Sequence, residues 1–176
     1  VRSSLSSACQ QCEVGKYVNL AGTKECFDCP PGSSCGREGM NASEPCPKGR
    51  YTDISNRWNC TACPSGRYQN GVGAAKCLFC EAGTFNPNHA SVSSAECQRC
   101  GAGSYANRVG ASHCDECTKG TVQPKAGQTA CILCNADNLE TSNEKKTDCI
   151  LNSALVSGTL VDKFFEDGSA IGGTFA

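Results

Sequence analysis

Cysteines open a new segment of this chain at positions 12, 29, 46, 63, 80, 100, 117 and 134. The step between them is 17 residues, except from Cys80 to Cys100, where it is 20. In most segments a second cysteine follows after 13 intervening residues, and two more residues lead to the next opener. A fixed period of this kind is the signature of a repeat architecture, one small unit written again and again. Aligned on the opener, five units read CEVGKYVNLAGTKEC, CPKGRYTDISNRWNC, CPSGRYQNGVGAAKC, CGAGSYANRVGASHC and CTKGTVQPKAGQTAC.

Three further positions recur, and each has a physical reason. A glycine stands three residues after the opener (Gly15, Gly49, Gly66, Gly103, Gly120), where it lets the chain turn sharply at positive φ. An aromatic stands five residues after it (Tyr17, Tyr51, Tyr68, Tyr105), placed to start a short extended stretch and lie across a disulfide. A second glycine stands ten residues after it (Gly22, Gly73, Gly110, Gly127) and reads as the turn back to the closing cysteine. Each unit is thus a small irregular hairpin tied at its base. Two units deviate. CEAGTFNPNHASVSSAEC carries three extra residues after its aromatic, and the unit opened by Cys29 has Ser43 at the closing position and an additional Cys35. The unit from Cys134 to Cys149 lacks the glycines and the aromatic, as a capping repeat does.

Repetition narrows the disulfide connectivity that sequence alone leaves open. Pairing opener with closer inside each unit gives Cys12–Cys26, Cys46–Cys60, Cys63–Cys77, Cys80–Cys97, Cys100–Cys114, Cys117–Cys131 and Cys134–Cys149. In the exceptional unit closure moves inward, to Cys29–Cys35; the alternative, Cys35–Cys46, leaves Cys29 and Cys60 needing other partners. Cys9 remains unpaired within the chain. It stands where the closer of a preceding unit would be, so its partner is expected upstream of Val1, in a longer secreted precursor.

The chain needs such staples. Leu, Ile, Val and Phe together supply 27 of 176 residues, and ten of them lie after Cys149. At about 25 cal/mol per Å² of buried apolar surface, the rest cannot drive folding alone. A closed loop of about 15 residues is worth roughly 3 kcal/mol in the loop-entropy picture. The 16 basic and 17 acidic residues form no run of one sign, which argues against a nucleic-acid surface or a polybasic membrane face. No stretch of 18 apolar residues exists, so this segment contains no membrane span.

The C-x-x-C pairs admit other readings. Two such pairs 13 residues apart come close to zinc-ribbon spacing. The odd cysteine count and the relocated Cys35 argue against a metal-thiolate protein. A thioredoxin-like site at CDEC, beside His113, needs a helix N-terminus in a βαβ setting, and calcium needs clustered carboxylates. Neither setting is visible. His89 and His113 read as exposed loop residues, and no catalytic constellation or cofactor site is called for. Asn41-Ala42-Ser43 and Asn59-Cys60-Thr61 are acceptor patterns for N-glycosylation.

The C-x-x-G-x-[YF] opening, the 13-residue loop and the C-x-x-C junctions resemble ephrin-receptor-like cysteine-rich repeats. They also resemble the small loop module of tumour-necrosis-factor-receptor domains. The resemblance covers residues 9 to 149. It implies an elongated, loop-rich rod of stacked hairpins in an extracellular or oxidising lumenal compartment, each loop closed on itself. Receptor modules of the tumour-necrosis type alternate this loop with an interlocked pair of disulfides; here the simple loop repeats almost throughout, as in surface and matrix proteins with structural or adhesive roles.

The expected fold is therefore a small disulfide-rich repeat protein over residues 1–149, a rod of about eight disulfide-closed loops with short β-hairpins and little helix. The expected function is that of a non-enzymatic structural or assembly protein, a spacer within a larger extracellular or lumenal complex. The alternatives are a ligand-binding ectodomain of a receptor or adhesin and, third, a metal-thiolate protein. Residues 150–176 form a cysteine-free apolar tail with different physics. Leu151, Leu155, Val156, Leu160, Val161, Phe164 and Phe165 recur near helical spacing. The tail is expected to dock onto another chain of the assembly through residues 150–170, with Leu155, Leu160, Phe164 and Phe165 in an apolar groove.

Reduction is expected to unfold the array without denaturant, and peptide mapping of the unreduced chain to recover Cys63–Cys77 and Cys100–Cys114. Free thiols at these four positions, or bridges between distant units, overturn the scheme.

Overall fold

The computed structural model describes residues 10–20, 23, 25–135 and 140–152. Eight two-stranded antiparallel hairpins follow one another along them. In chain order, β1 (Lys16–Tyr17) pairs with β2 (Phe27–Asp28), β3 (Ser33–Ser34) with β4 (Glu44–Pro45), and β5 (Arg50–Tyr51) with β6 (Thr61–Ala62). Then β7 (Arg67–Tyr68) pairs with β8 (Leu78–Phe79), β9 (Thr84–Phe85) with β10 (Gln98–Arg99), and β11 (Ser104–Tyr105) with β12 (Asp115–Glu116). Last come β13 (Thr121–Val122) with β14 (Ile132–Leu133) and β15 (Glu140–Ser142) with β16 (Cys149–Leu151). The helical content of the described residues is one 3-10 turn, Ser94–Glu96.

Eight disulfides close the loops: Cys12–Cys26, Cys29–Cys35, Cys46–Cys60, Cys63–Cys77, Cys80–Cys97, Cys100–Cys114, Cys117–Cys131 and Cys134–Cys149. All eight openers are buried, and Cys29, Cys46, Cys63 and Cys100 are wholly inaccessible to solvent. Tyr17 packs on the cluster of Cys29, Cys35 and Met40, and Phe85 on Cys100, Ala106, Ala111 and Cys114. The aromatics thus lie across sulfur of the following unit.

The first glycine of each unit sits at the third position of a β-turn that demands positive φ, as at Gly66 with φ 77°. Arg67 N–H closes this turn on the Pro64 carbonyl at 3.2 Å. The same glycine then ties two units together. Gly66 N–H donates to Asn86 C=O at 2.7 Å, and its own carbonyl accepts from Cys80 N–H at 2.9 Å. Two further bonds complete the seam: Gln69 N–H to Ser91 C=O at 2.9 Å, and Ala90 N–H to Cys63 C=O at 2.8 Å. The pattern repeats from Gly15 to Gly103, so a ladder of main-chain bonds joins each unit to the next. Between units, every such bond among the described residues joins adjacent ones.

Van der Waals contact reaches further. A Cβ on Gly32, Gly66 or Gly83 would overlap the carbonyl of Gly73, Gly110 or Gly127, each two units ahead. Units of a linear repeat array touch mainly their immediate neighbours. The longer reach arises because the bare first glycine lets two backbones meet with no side chain between them. Contacts that stop at the second unit give a stack that extends along one direction.

The second-glycine position is a left-handed corner even where glycine is absent. Asn56 and Ala90 occupy it with φ 62° and 55°. Asn tolerates this region; Ala bears a cost of roughly 1–2 kcal/mol, partly offset in exchange with Gly by the chain entropy that Gly loses. The three additional residues of this unit are taken up after Ala90, in the turn Ser94–Glu96.

Three substitutions separate strain from overlap. Ala90→Gly is expected to stabilise the disulfide-intact protein against urea by about 0.5–1 kcal/mol. Gly73→Ala, whose new methyl would meet nothing closer than Pro45 Cβ at 3.6 Å, is expected to cost about 1 kcal/mol. Gly66→Ala adds a clash with the Gly110 carbonyl and is expected to cost distinctly more than Gly73→Ala. Equal costs for the two glycine variants overturn the two-unit contact.

Candidate functional site

Function must be sought either in the column of residues inside the loops or on the outer surface, and the inside is chemically spent. The residue six positions after six of the eight openers is buried: Cys35, Thr52, Gln69, Asn86, Ala106 and Gln123 are all less than a tenth exposed, whereas Val18 and Glu140 at the two ends are partly exposed. Thr52 Oγ1 accepts from Gly32 N–H at 2.9 Å and donates to Ser33 C=O at 3.3 Å, 3.9 Å from Cys46 Sγ. Gln69 donates to Lys76 C=O at 2.7 Å and accepts from Gly71 N–H at 2.9 Å. Gln123 makes the equivalent pair with Ala130 C=O and Lys125 N–H. Asn86 bridges Ser91 Oγ at 2.8 Å and Asn88 N–H at 3.0 Å. No buried side-chain nitrogen or oxygen among the described residues lacks a partner. These groups brace the loops.

This column explains Cys35. Its position is the one where Thr52 already lies against an opener's sulfur, so a cysteine there meets Cys29 with a Cα–Cα distance of 6.1 Å, within the bridgeable range. Sequence reading missed the column, because its members share a location and no chemistry; the alignment of Cys35 with Thr52, Gln69, Asn86 and Gln123 was the available signal.

Open clefts lie on the outer surface of the described residues. One, of about 260 Å³, lies between consecutive units and is lined by Tyr68, Phe79, Glu81, Thr84 and Ser94. At its edge the Arg67 guanidinium stacks 4.2 Å over the Phe79 ring, which is itself half exposed beside Leu78. Another, of about 400 Å³, is lined by Arg37, Glu38, Met40, Asn41 and Glu44. The Arg37–Glu44 pair across it, at 2.9 Å, is exposed and contributes at most about 1 kcal/mol. The first cleft holds a single carboxylate, Glu81; in the second, Arg37 and Glu44 pair with each other beside Glu38.

His113 lies between Ser112 Oγ, 3.1 Å from Nδ1, and Asp115, 3.6 Å from Nε2. All three are sequence neighbours outside both clefts, and His113 and Asp115 are exposed, so nothing excludes water from a reacting group. His89 is exposed. No group of three His, Cys, Asp or Glu among the described residues could hold a metal ion. No described helix is long and apolar enough to cross a membrane.

The two acceptor asparagines, Asn41 and Asn59, are both exposed, in neighbouring units. Cys9 and the tail residues Leu155, Leu160, Phe164 and Phe165 lie outside the described residues. Ile150 and Leu151, expected to begin that tail, belong instead to the last hairpin, where they face Thr141 and Glu140.

A family model described as tyrosine-protein kinase ephrin type A/B receptor-like matches residues 35–76, 52–97 and 103–149, well over half of the chain. No curated protein matches it.

The longest loop supplies a pH test. Ser93 and Glu96 form a capping box, with Glu96 Oε1 accepting from Val92 N–H at 2.8 Å and Ser93 N–H at 3.2 Å. These bonds, first the one from Val92, hold the Glu96 carboxyl below its ordinary value. Its contribution is present above the ordinary glutamate value and is lost as pH falls through the lowered one. In an NMR titration, the Val92 and Ser93 amide shifts are expected to follow a midpoint below the ordinary glutamate value. A midpoint at the ordinary value removes the capping box.

Proposed function

The chain belongs to the tyrosine-protein kinase ephrin type A/B receptor-like family, and from that membership we propose that its repeats are a non-enzymatic, disulfide-stapled spacer in an extracellular or lumenal protein complex. The observation that carries this reading is the uniform seam. The same main-chain bonds recur between successive units regardless of the side chains around them. A surface built for one ligand concentrates its distinctive residues; here regularity lies in the backbone and variation on the outside. Eight disulfides support an oxidising environment for the chain.

A ligand-gripping ectodomain is the second reading. It is supported by the family's receptor description and by the half-exposed Leu78 and Phe79 with Arg67 over the ring. Docking of the segment after Asn152 onto another chain, through Leu155, Leu160, Phe164 and Phe165, completes the assembly proposal. Truncation after Asn152, which spares the last hairpin, tests it: the shortened chain is expected to fold and to leave its complex, and retention in the complex removes this part.

Deletion of residues 63–79 from the full precursor separates spacer from receptor. It removes one unit with its own disulfide, together with Arg67, Leu78 and Phe79. A spacer is expected to keep its remaining disulfides and its co-purifying partners while the distance between flanking segments shortens. Loss of partners with an intact disulfide map overturns the spacer reading in favour of the receptor.

A further inference from the structure

The unit that closes inward has also changed what its loop can be used for. Ser43 stands where the other units have their closing cysteine. That one residue both displaces the disulfide to Cys35 and completes the tripeptide Asn41-Ala42-Ser43. The tripeptide therefore lies outside any disulfide ring. Asn41 and Ala42 are exposed in a bend, and Ser43 is partly exposed beside β4. Asn41 lines the open cleft bounded by Arg37, Glu38 and Glu44, so space for a bulky substituent already exists around its amide.

Asn59-Cys60-Thr61 presents the same chemistry under restraint. Asn59 is exposed, but Cys60 is bonded to Cys46 and buried, and its carbonyl accepts from Arg50 Nη1 at 3.0 Å. Thr61 is held in β6 opposite Tyr51. All three residues are fixed once the loop has closed. By contrast, Asn86 and Asn143, whose amides the fold uses, stand in no acceptor tripeptide.

We infer that Asn41 carries an N-linked glycan added irrespective of folding, and that Asn59 is a conditional site, glycosylated only on chains whose Cys46–Cys60 bond has not yet formed. The donor class is a polyprenyl diphosphate-linked oligosaccharide. The asparagine amide nitrogen bonds to the anomeric carbon, the bond from that carbon to the diphosphate oxygen breaks, and the amide loses one proton as polyprenyl diphosphate leaves. The competing reaction is oxidation of the Cys46 and Cys60 thiols. They give up two electrons and two protons to a disulfide-bearing oxidoreductase, whose disulfide is reduced to a dithiol. The inference rests on the oxidising compartment proposed above.

The full chain, secreted from a eukaryotic host, tests both sites by peptide mass spectrometry after enzymatic removal of N-glycans in isotopically labelled water, which converts each occupied asparagine to labelled aspartate. Asn41 is expected to be labelled in wild type and to lose its label in Ser43→Ala. Asn59 is expected to gain label when a mild reductant is present during synthesis. It should gain again in the double variant Cys46→Ser, Cys60→Ser, which keeps an acceptor tripeptide, while Asn41 stays unchanged. An unlabelled Asn41 on chains whose other disulfides have formed overturns the inference and leaves the compartment intact. So does an Asn59 occupancy that ignores the Cys46–Cys60 bond. Wild-type chains secreted with free thiols would instead defeat the compartment on which it rests.

Discussion

A loop of about 15 residues with one aromatic and few aliphatic side chains cannot hold its own shape, because the entropy of ordering its backbone exceeds what its apolar surface returns. The bond from opener to closer removes that difficulty by limiting the unfolded loop. Everything else in the stack presupposes it. Strands of two residues, such as Arg67–Tyr68 against Leu78–Phe79, are far too short to persist alone. Closed at the base, the loop presents its first glycine in a fixed left-handed turn, and that turn aims one N–H and one C=O at the next unit. Staple, turn and seam form one causal sequence.

The repeat, the hairpins and the first-glycine turns were legible because each rests on a residue type that physics restricts narrowly. Cysteine spacing exposes the units, and positive φ at Gly49 or Gly103 follows from the need for a turn beside a buried opener. The second corner was less legible, since Asn56 and Ala90 reach the left-handed region without glycine. The buried column was marked in the sequence only by the position of Cys35. Threonine, glutamine, asparagine and alanine share no hydropathy, and the polar ones find partners that pattern reading does not anticipate: Gln69 and Asn86 within their own loops, Thr52 in the preceding unit. The contact between Gly66 and Gly110 is likewise invisible, because it involves backbone alone.

The outer surface followed yet another rule. Nothing in the stack restricts the residues between a closer and the next opener, and they range from Asp115-Glu116 to Leu78-Phe79 and Ile132-Leu133. A scaffold whose stability is written into its backbone leaves these positions free to differ from unit to unit. Ser94–Glu96 shows the same tolerance at the loop tips, where three additional residues fold into a capped turn without disturbing the seam.

The disulfides also decide how such a chain carries mechanical load. Pulled from its ends, the backbone between Cys63 and Cys77 is bypassed, since tension crosses directly between two Cα atoms 5.8 Å apart. From Cys77 to Cys80 it then runs through three peptide steps, roughly 10 Å of contour. Even with every seam bond sheared, such a unit has almost no slack to release. The unit closed by Cys29–Cys35 is the exception, because the whole stretch from Cys35 to Cys46 stays in the line of force. A nearly inextensible tether would thus yield first at one known place, and that place holds Asn41.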